Sequence, residues 1–114
     1  MLQQSKPSAP DALDRVFAAL SDPARRGMIE RLSARPASAS QLASHYAMTL
    51  SAVVQHLRVL ENSGLVASQK SGRVRTFTVE LDALAPAQRW IEDRKQTWSR
   101  DLDQLEALLR EEDP

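Results

Sequence analysis

No cysteine occurs anywhere in the chain. That absence excludes a disulfide framework and any thiolate metal or redox centre. Glycine is nearly as scarce: Gly27, Gly64 and Gly72 are isolated, so no glycine-rich loop can cradle a phosphate. The two histidines, His45 and His56, fall eleven residues apart on separate predicted helices. Nothing beside them completes a site of three or four ligands, so neither metal nor cofactor is expected. No Ser, His and Asp arrangement has support from the pattern of elements, and the chain does not read as an enzyme. Long apolar runs are missing as well, which leaves no candidate for a membrane-spanning helix. The opening MLQQSKPSAP lacks the apolar centre of a signal peptide, so the expected location is the cytoplasm.

What is present suits one soluble domain. The 114 residues are 42% hydrophobic and 26% charged, enough for a modest core and too apolar for general disorder. Net charge is zero but uneven. Residues 1–48 carry six basic and four acidic side chains, net +2; residues 49–80 carry four and two, again net +2; residues 81–114 carry five and nine, net −4. A basic front with an acidic tail suits a protein whose middle faces phosphate.

Residues 1–10 read as a mobile arm, and residues 11–112 as a single domain. A first helix is predicted over about Asp11–Leu20, with Leu13, Val16, Phe17 and Leu20 on one stripe. Asp22-Pro23 then restarts the chain, with Asp as N-cap and Pro at the first helical position. The second helix runs to about Ala34, with Met28, Ile29 and Leu32 inward and Arg25, Arg26, Arg31 and Arg35 outward. Gly27 lies inside it at a cost of about 1 kcal/mol relative to alanine; close packing or simple tolerance would each explain it. After Pro36, Ser38 to Gln41 reads as a capping box opening a short helix that ends near Tyr46 and buries Leu42.

Ala47-Met48 turns the chain into Met48–Gly64, MTLSAVVQHLRVLENSG. Val53, Leu57 and Leu60 form its buried stripe, Thr49 is placed as N-cap, and Gly64 is placed to end the helix in the left-handed region. Its other side carries Ser51, Ala52, Gln55, Arg58 and Asn62. Small residues permit close approach to a major groove, and Gln and Arg reach base edges. Two short helices joined by a tight turn make a helix-turn-helix. The period then changes to two, giving strands at 65–70 and 73–79 around Ser71-Gly72. Lys70, Arg73 and Arg75 make the hairpin basic. Such charges also protect solvated edge strands from pairing, but directly after a helix-turn-helix they suit phosphate contact. The fold class is mainly α with a small β-hairpin: four helices, two strands and a last helix, a winged helix-turn-helix.

Leu81–Ala85 reads as a linker, and a long helix from near Pro86 to about Glu112 follows. Leu84, Ile91, Trp98 and Leu105 recur every seven residues, with Leu102 and Leu109 in the intervening seam positions and Gln88 and Lys95 weakening the seam. A domain this small does not easily cover so much apolar surface, so the helix is expected to meet the same helix and the first helix of a second copy; the alternative is that it folds back on its own domain. The expected dimer interface is Leu13, Phe17, Ile91, Trp98, Leu102, Leu105 and Leu109. Trp90 and Trp98 could line a ligand pocket there, but at helical spacing on an apolar stripe they read as core.

The segments ALSDPARRGMIERL at 19–32, SQLASHYAMTLSAVVQHLRVLENSGLV at 40–66 and KSGRVRTFTV at 70–79 resemble the ArsR-like family of small winged-helix repressors. The tail at 89–109 looks like the subgroup often encoded beside polyketide-cyclase-like (SRPBCC) proteins. The resemblance implies a homodimeric transcriptional repressor that binds double-stranded operator DNA through its fourth helix. His56 matches the family's His in QHL, with a phosphate contact or packing beside the turn as its expected role. Val54 stands where the family usually has Ser, and Gly27 where Ala is commoner. Metal-sensing members carry a Cys pair in the reading helix or Asp/His ligands on the last helix; those ligands are absent here, so the resemblance does not extend to metal sensing. The expected DNA-binding residues are Thr49, Ser51, Ala52, Gln55, His56, Arg58, Lys70, Arg73 and Arg75. The alternative is a winged helix used as a protein-interaction module without groove contact. No residue pattern specifies a small-molecule effector.

Overall fold

Caps set the helix boundaries in the computed structural model, which describes residues 9–111. Helix α1 (Ala9–Leu20) stops where Asp22 becomes the N-cap of α2 (Pro23–Ala34), its carboxylate accepting from the Arg25 amide at 3.0 Å. The arm expected over residues 1–10 lies outside the described residues, except that Ala9 and Pro10 already belong to α1. Ser38 and Gln41 form the expected capping box on α3 (Ala39–Ala43), at 3.2 and 2.9 Å. That helix is shorter than the sequence suggests, because the chain tightens at its end through His45 to Leu42 and Tyr46 to Ala43 backbone bonds.

Helix α4 (Leu50–Asn62) is capped by Thr49, whose Oγ1 accepts from the Ala52 amide at 3.0 Å. Its far end closes with two reversed bonds, Gly64 N–H to the Glu61 carbonyl and Leu65 N–H to that of Leu60. Gly64 adopts φ +83°, as this closure requires, and Leu65 drops into the core. Strands β2 (Val66–Ser71) and β3 (Val74–Val79) pair in register from Val66↔Val79 to Ser71↔Val74. Gly72, at φ +62°, and Arg73 make the two-residue turn between them, with glycine first as type II′ hairpins demand.

The expected two-stranded hairpin proves to be a three-stranded antiparallel sheet in the order β1-β3-β2. Strand β1 (Ala37–Ser38) pairs Ala37 with Phe77 and Ser38 with Thr76. Two residues after a proline show no alternation, so the pattern of the sequence could not disclose this strand. The expected linker is instead a 3₁₀ turn, Leu81–Leu84, leading into α5 (Ala85–Glu111).

The core lies between α1, α2, α4 and the sheet. Met28, Leu42, Val53, Leu57, Leu60 and Leu65 are its largest fully buried side chains. Ile29, expected inward, is only partly buried against them. The 27 residues of α5 span about 40 Å at 1.5 Å per residue. Ala87 is its only buried residue among those described, and the molecule measures 75 × 43 × 22 Å.

Candidate nucleic-acid interface

The stripe Val53, Leu57 and Leu60 docks α4 on the core and thereby fixes what the helix shows to solvent. Ser51, Gln55 and Arg58 are exposed together on the opposite face. Ala52 and His56 lie on one flank and are half-buried. His56 Nδ1 stands 3.3 Å from an Arg25 terminal nitrogen, so it is held against α2. The Thr49 oxygen is committed to its cap.

Arg25 departs from the outward placement the sequence suggests. Its Nε donates to the Ala19 carbonyl at 2.7 Å and a terminal nitrogen to that of Ala18 at 3.1 Å. A cation is favoured there because the last carbonyls of α1 lack helical partners. Arg26 serves the Leu20 carbonyl in the same way at 2.7 Å.

On the wing, Arg73 is the turn residue itself, with Lys70 and Arg75 paired across the strands behind it. Among the described residues, Arg58, Lys70 and Arg73 enter no side-chain hydrogen bond or ion pair. Arg75 differs. It donates to Ser68 Oγ at 2.9 Å, and Ser68 donates to Glu61 Oε2 at 2.6 Å, a chain that ties β3 through β2 to the end of α4. Arg75 therefore braces the hairpin.

An open cleft of about 500 Å³ separates α4 from the wing. Leu50, Val54 and Arg58 line one wall, Arg73 and Val74 the other, and Phe77 is also in its lining. Leu50 and Val74 carry no polar group that marks them in the sequence; their exposure in the fold is what places them at the cleft. Among the described residues no three His, Cys, Asp or Glu side chains converge as a metal site.

Of the expected dimer residues, Leu13 packs on the chain's own core. Phe17, Ile91, Trp98, Leu102, Leu105 and Leu109 are exposed. Trp90 and Trp98, read as core, are not buried in this chain. Trp90 meets Phe17 edge-on at 5.8 Å with Arg94 at 5.4 Å over its ring, and Trp98 is 68% exposed. Helix α5 extends past the domain, so among the described residues none buries Trp98. No described helix is long and apolar enough to cross a membrane.

Residues 20–69 match the helix-turn-helix domain family. The chain is 32% identical over 99 residues to the HTH-type transcriptional regulator Rv2034 of Mycobacterium tuberculosis, covering 87% of this chain and 90% of that protein. It is 23% identical over 79 residues to the transcriptional repressor SdpR of Bacillus subtilis, covering 69% and 88% respectively. Among solved structures, an ArsR-like transcriptional regulator from Rhodococcus sp. RHA1 superposes with a TM-score of 0.81 at 32% identity, over 88% of this chain and 92% of that one. A capped α4 behind a short helix and tight turn, a basic wing and these relatives agree: the chain belongs to the ArsR-like family of winged helix-turn-helix transcriptional regulators.

Proposed function

We propose that the chain is a homodimeric repressor that reads a near-palindromic operator. Helix α4 enters the major groove and the wing reaches the adjoining phosphates or minor groove. The observation that carries this reading is the shared exposure of Ser51, Gln55 and Arg58 beside a wing whose Lys70 and Arg73 have no partner among the described residues. Gln55 is suited to a bidentate contact with adenine, and Arg58 to guanine or phosphate. His56 already accepts from Arg25, which leaves its second ring nitrogen to donate to a phosphate. Repression rather than activation follows the likeness to SdpR, a named repressor.

Dimerisation is inferred from the apolar seam of α5. Ile91, Trp98, Leu102, Leu105 and Leu109 are each exposed, an arrangement that a second copy of the same helix covers. A two-fold dimer places two copies of α4 about one DNA turn apart. The site of action is the cytoplasm, where the chromosome is.

The test is a duplex titration at several salt concentrations, paired with light scattering. Steep salt dependence with one dimer per operator is expected, since phosphate neutralisation releases counterions. Gln55→Ala should relax preference at one base pair per half-site at a cost of about 1–3 kcal/mol. Trp98→Glu or Leu105→Glu should give monomers that no longer bind operator. A wild type that is monomeric at micromolar concentration rules out the dimer. Shallow, sequence-independent DNA binding favours a protein-interaction module instead.

A further inference from the structure

Leu50, Val54 and Arg58 follow one another at intervals of four along one flank of α4, the flank turned toward the wing. Leu50 is 49% exposed in the first turn of the helix. Val54 is half-buried one turn later, and Val74 on β3, across the cleft, is 54% exposed. The first turn of a reading helix is the part whose side chains meet base edges. The chain therefore presents hydrocarbon where the rest of the reading face is polar.

The major-groove edge of a base pair offers donors, acceptors and one apolar group, the C5 methyl of thymine. Hydrocarbon placed against an amino or carbonyl edge strips water from that edge and returns no hydrogen bond. Placed against a methyl, it removes apolar surface from water on both sides. Arg58 and Arg73, in the lining of the same cleft, outweigh its one acidic side chain, Glu61, and supply the attraction that holds flanking phosphates beside it.

We propose that Leu50 and Val54, with Val74 closing the wing side, form a thymine-methyl site. Operator recognition then requires thymine under the first turns of α4, in addition to the polar contact assigned to Gln55. This inference rests on the proposed DNA-reading function and specifies its base preference.

The experiment uses the intact protein and a duplex selected by it from a random-sequence library. Each selected thymine is replaced singly by deoxyuridine, which removes the methyl and leaves the hydrogen-bonding edge unchanged. At one or two thymines per half-site, replacement should weaken binding about fourfold, the equivalent of about 0.8 kcal/mol for each methyl buried. With Leu50→Ser or Val54→Ser, which withdraw hydrocarbon from the site, the thymine-to-uracil difference at those positions should shrink while the salt slope is kept. A purely structural role for these residues would weaken both duplexes alike. A selected duplex that binds specifically yet tolerates every uracil overturns the methyl site and leaves the DNA-reading function standing. Variants that keep the full thymine preference overturn it equally. A failure to select any preferred duplex overturns the DNA-reading function, and the methyl site with it.

Discussion

The Arg25 guanidinium and His56 Nδ1 meet at 3.3 Å, so a side chain that caps the end of α1 also touches the reading helix. Arginine has donors only, so His56 accepts at Nδ1 and carries its ring proton on Nε2. Nitrogen NMR of the imidazole should show that tautomer. Arg25→Ala should cost about 2 kcal/mol in denaturant unfolding, the worth of its charge-assisted bonds to the Ala19 and Ala18 carbonyls at the end of α1. Arg25→Lys should recover only part of it, because an ammonium cannot reproduce the guanidinium fork. Full recovery by lysine would show that charge alone matters.

The N-cap at Asp22 makes the start of α2 depend on pH. Its carboxyl is held below the ordinary value chiefly by the Arg25 amide that it caps; partial desolvation opposes this, and the Arg25 charge adds to it. A depressed folded-state pKa gives stability that is present above the unfolded value, about 4, and lost as pH falls through the lower folded value. Asp22→Asn keeps a capping oxygen without the charge. The wild type should melt above the variant at pH 7, and the gap should close in acid below about pH 4. A gap that stays constant into acid would assign the difference to cap geometry instead.

Tyr46 and Gly27 form a second coupled pair. A Cβ on residue 27 would lie 3.0 Å from the Tyr46 hydroxyl, and that hydroxyl is buried with no hydrogen-bond partner among the described residues. Tyr46→Phe should stabilise the fold by about 1–3 kcal/mol, the cost of an unpaired buried polar group. Gly27→Ala alone sets a helix gain of about 1 kcal/mol against the crowded hydroxyl. In the Tyr46→Phe background the gain should appear in full, so the two changes are non-additive. Additivity within experimental error would dissolve the pair.

The wing arginines should separate by assay. Arg73→Ala should weaken binding to all sequences alike and lower the salt slope by about one charge per subunit. Arg75→Ala should act first on stability, by releasing the Ser68 and Glu61 bonds, with a smaller change in slope. Equal slopes for the two variants would contradict the bracing role.

Much of the fold was legible because it is written in residues close together. The caps at Asp22, Ser38 and Thr49 each join groups three residues apart. Gly64 and Gly72 mark a helix end and a hairpin turn that need positive φ. The candidate site was legible in part. The exposure of Ser51, Gln55 and Arg58 followed from helical period alone, but the period could not separate Arg73, at the tip with no partner among the described residues, from Arg75, bonded to Ser68.

Local pattern thus determined the helices, the hairpin, the polar exposed face of α4 and the over-long apolar seam of α5, since periodicity and capping act within about one turn. The tertiary structure decided what depends on partners far along the chain. Ala37 becomes a strand only because Phe77 lies opposite, and Arg25 turns inward because Ala18, Ala19 and His56 converge on it. Trp98 stays exposed because α5 extends past the domain. Leu50, Val54 and Val74 share a cleft only once the wing folds beside α4: backbone pairing and core packing, not local propensity, bring those side chains together.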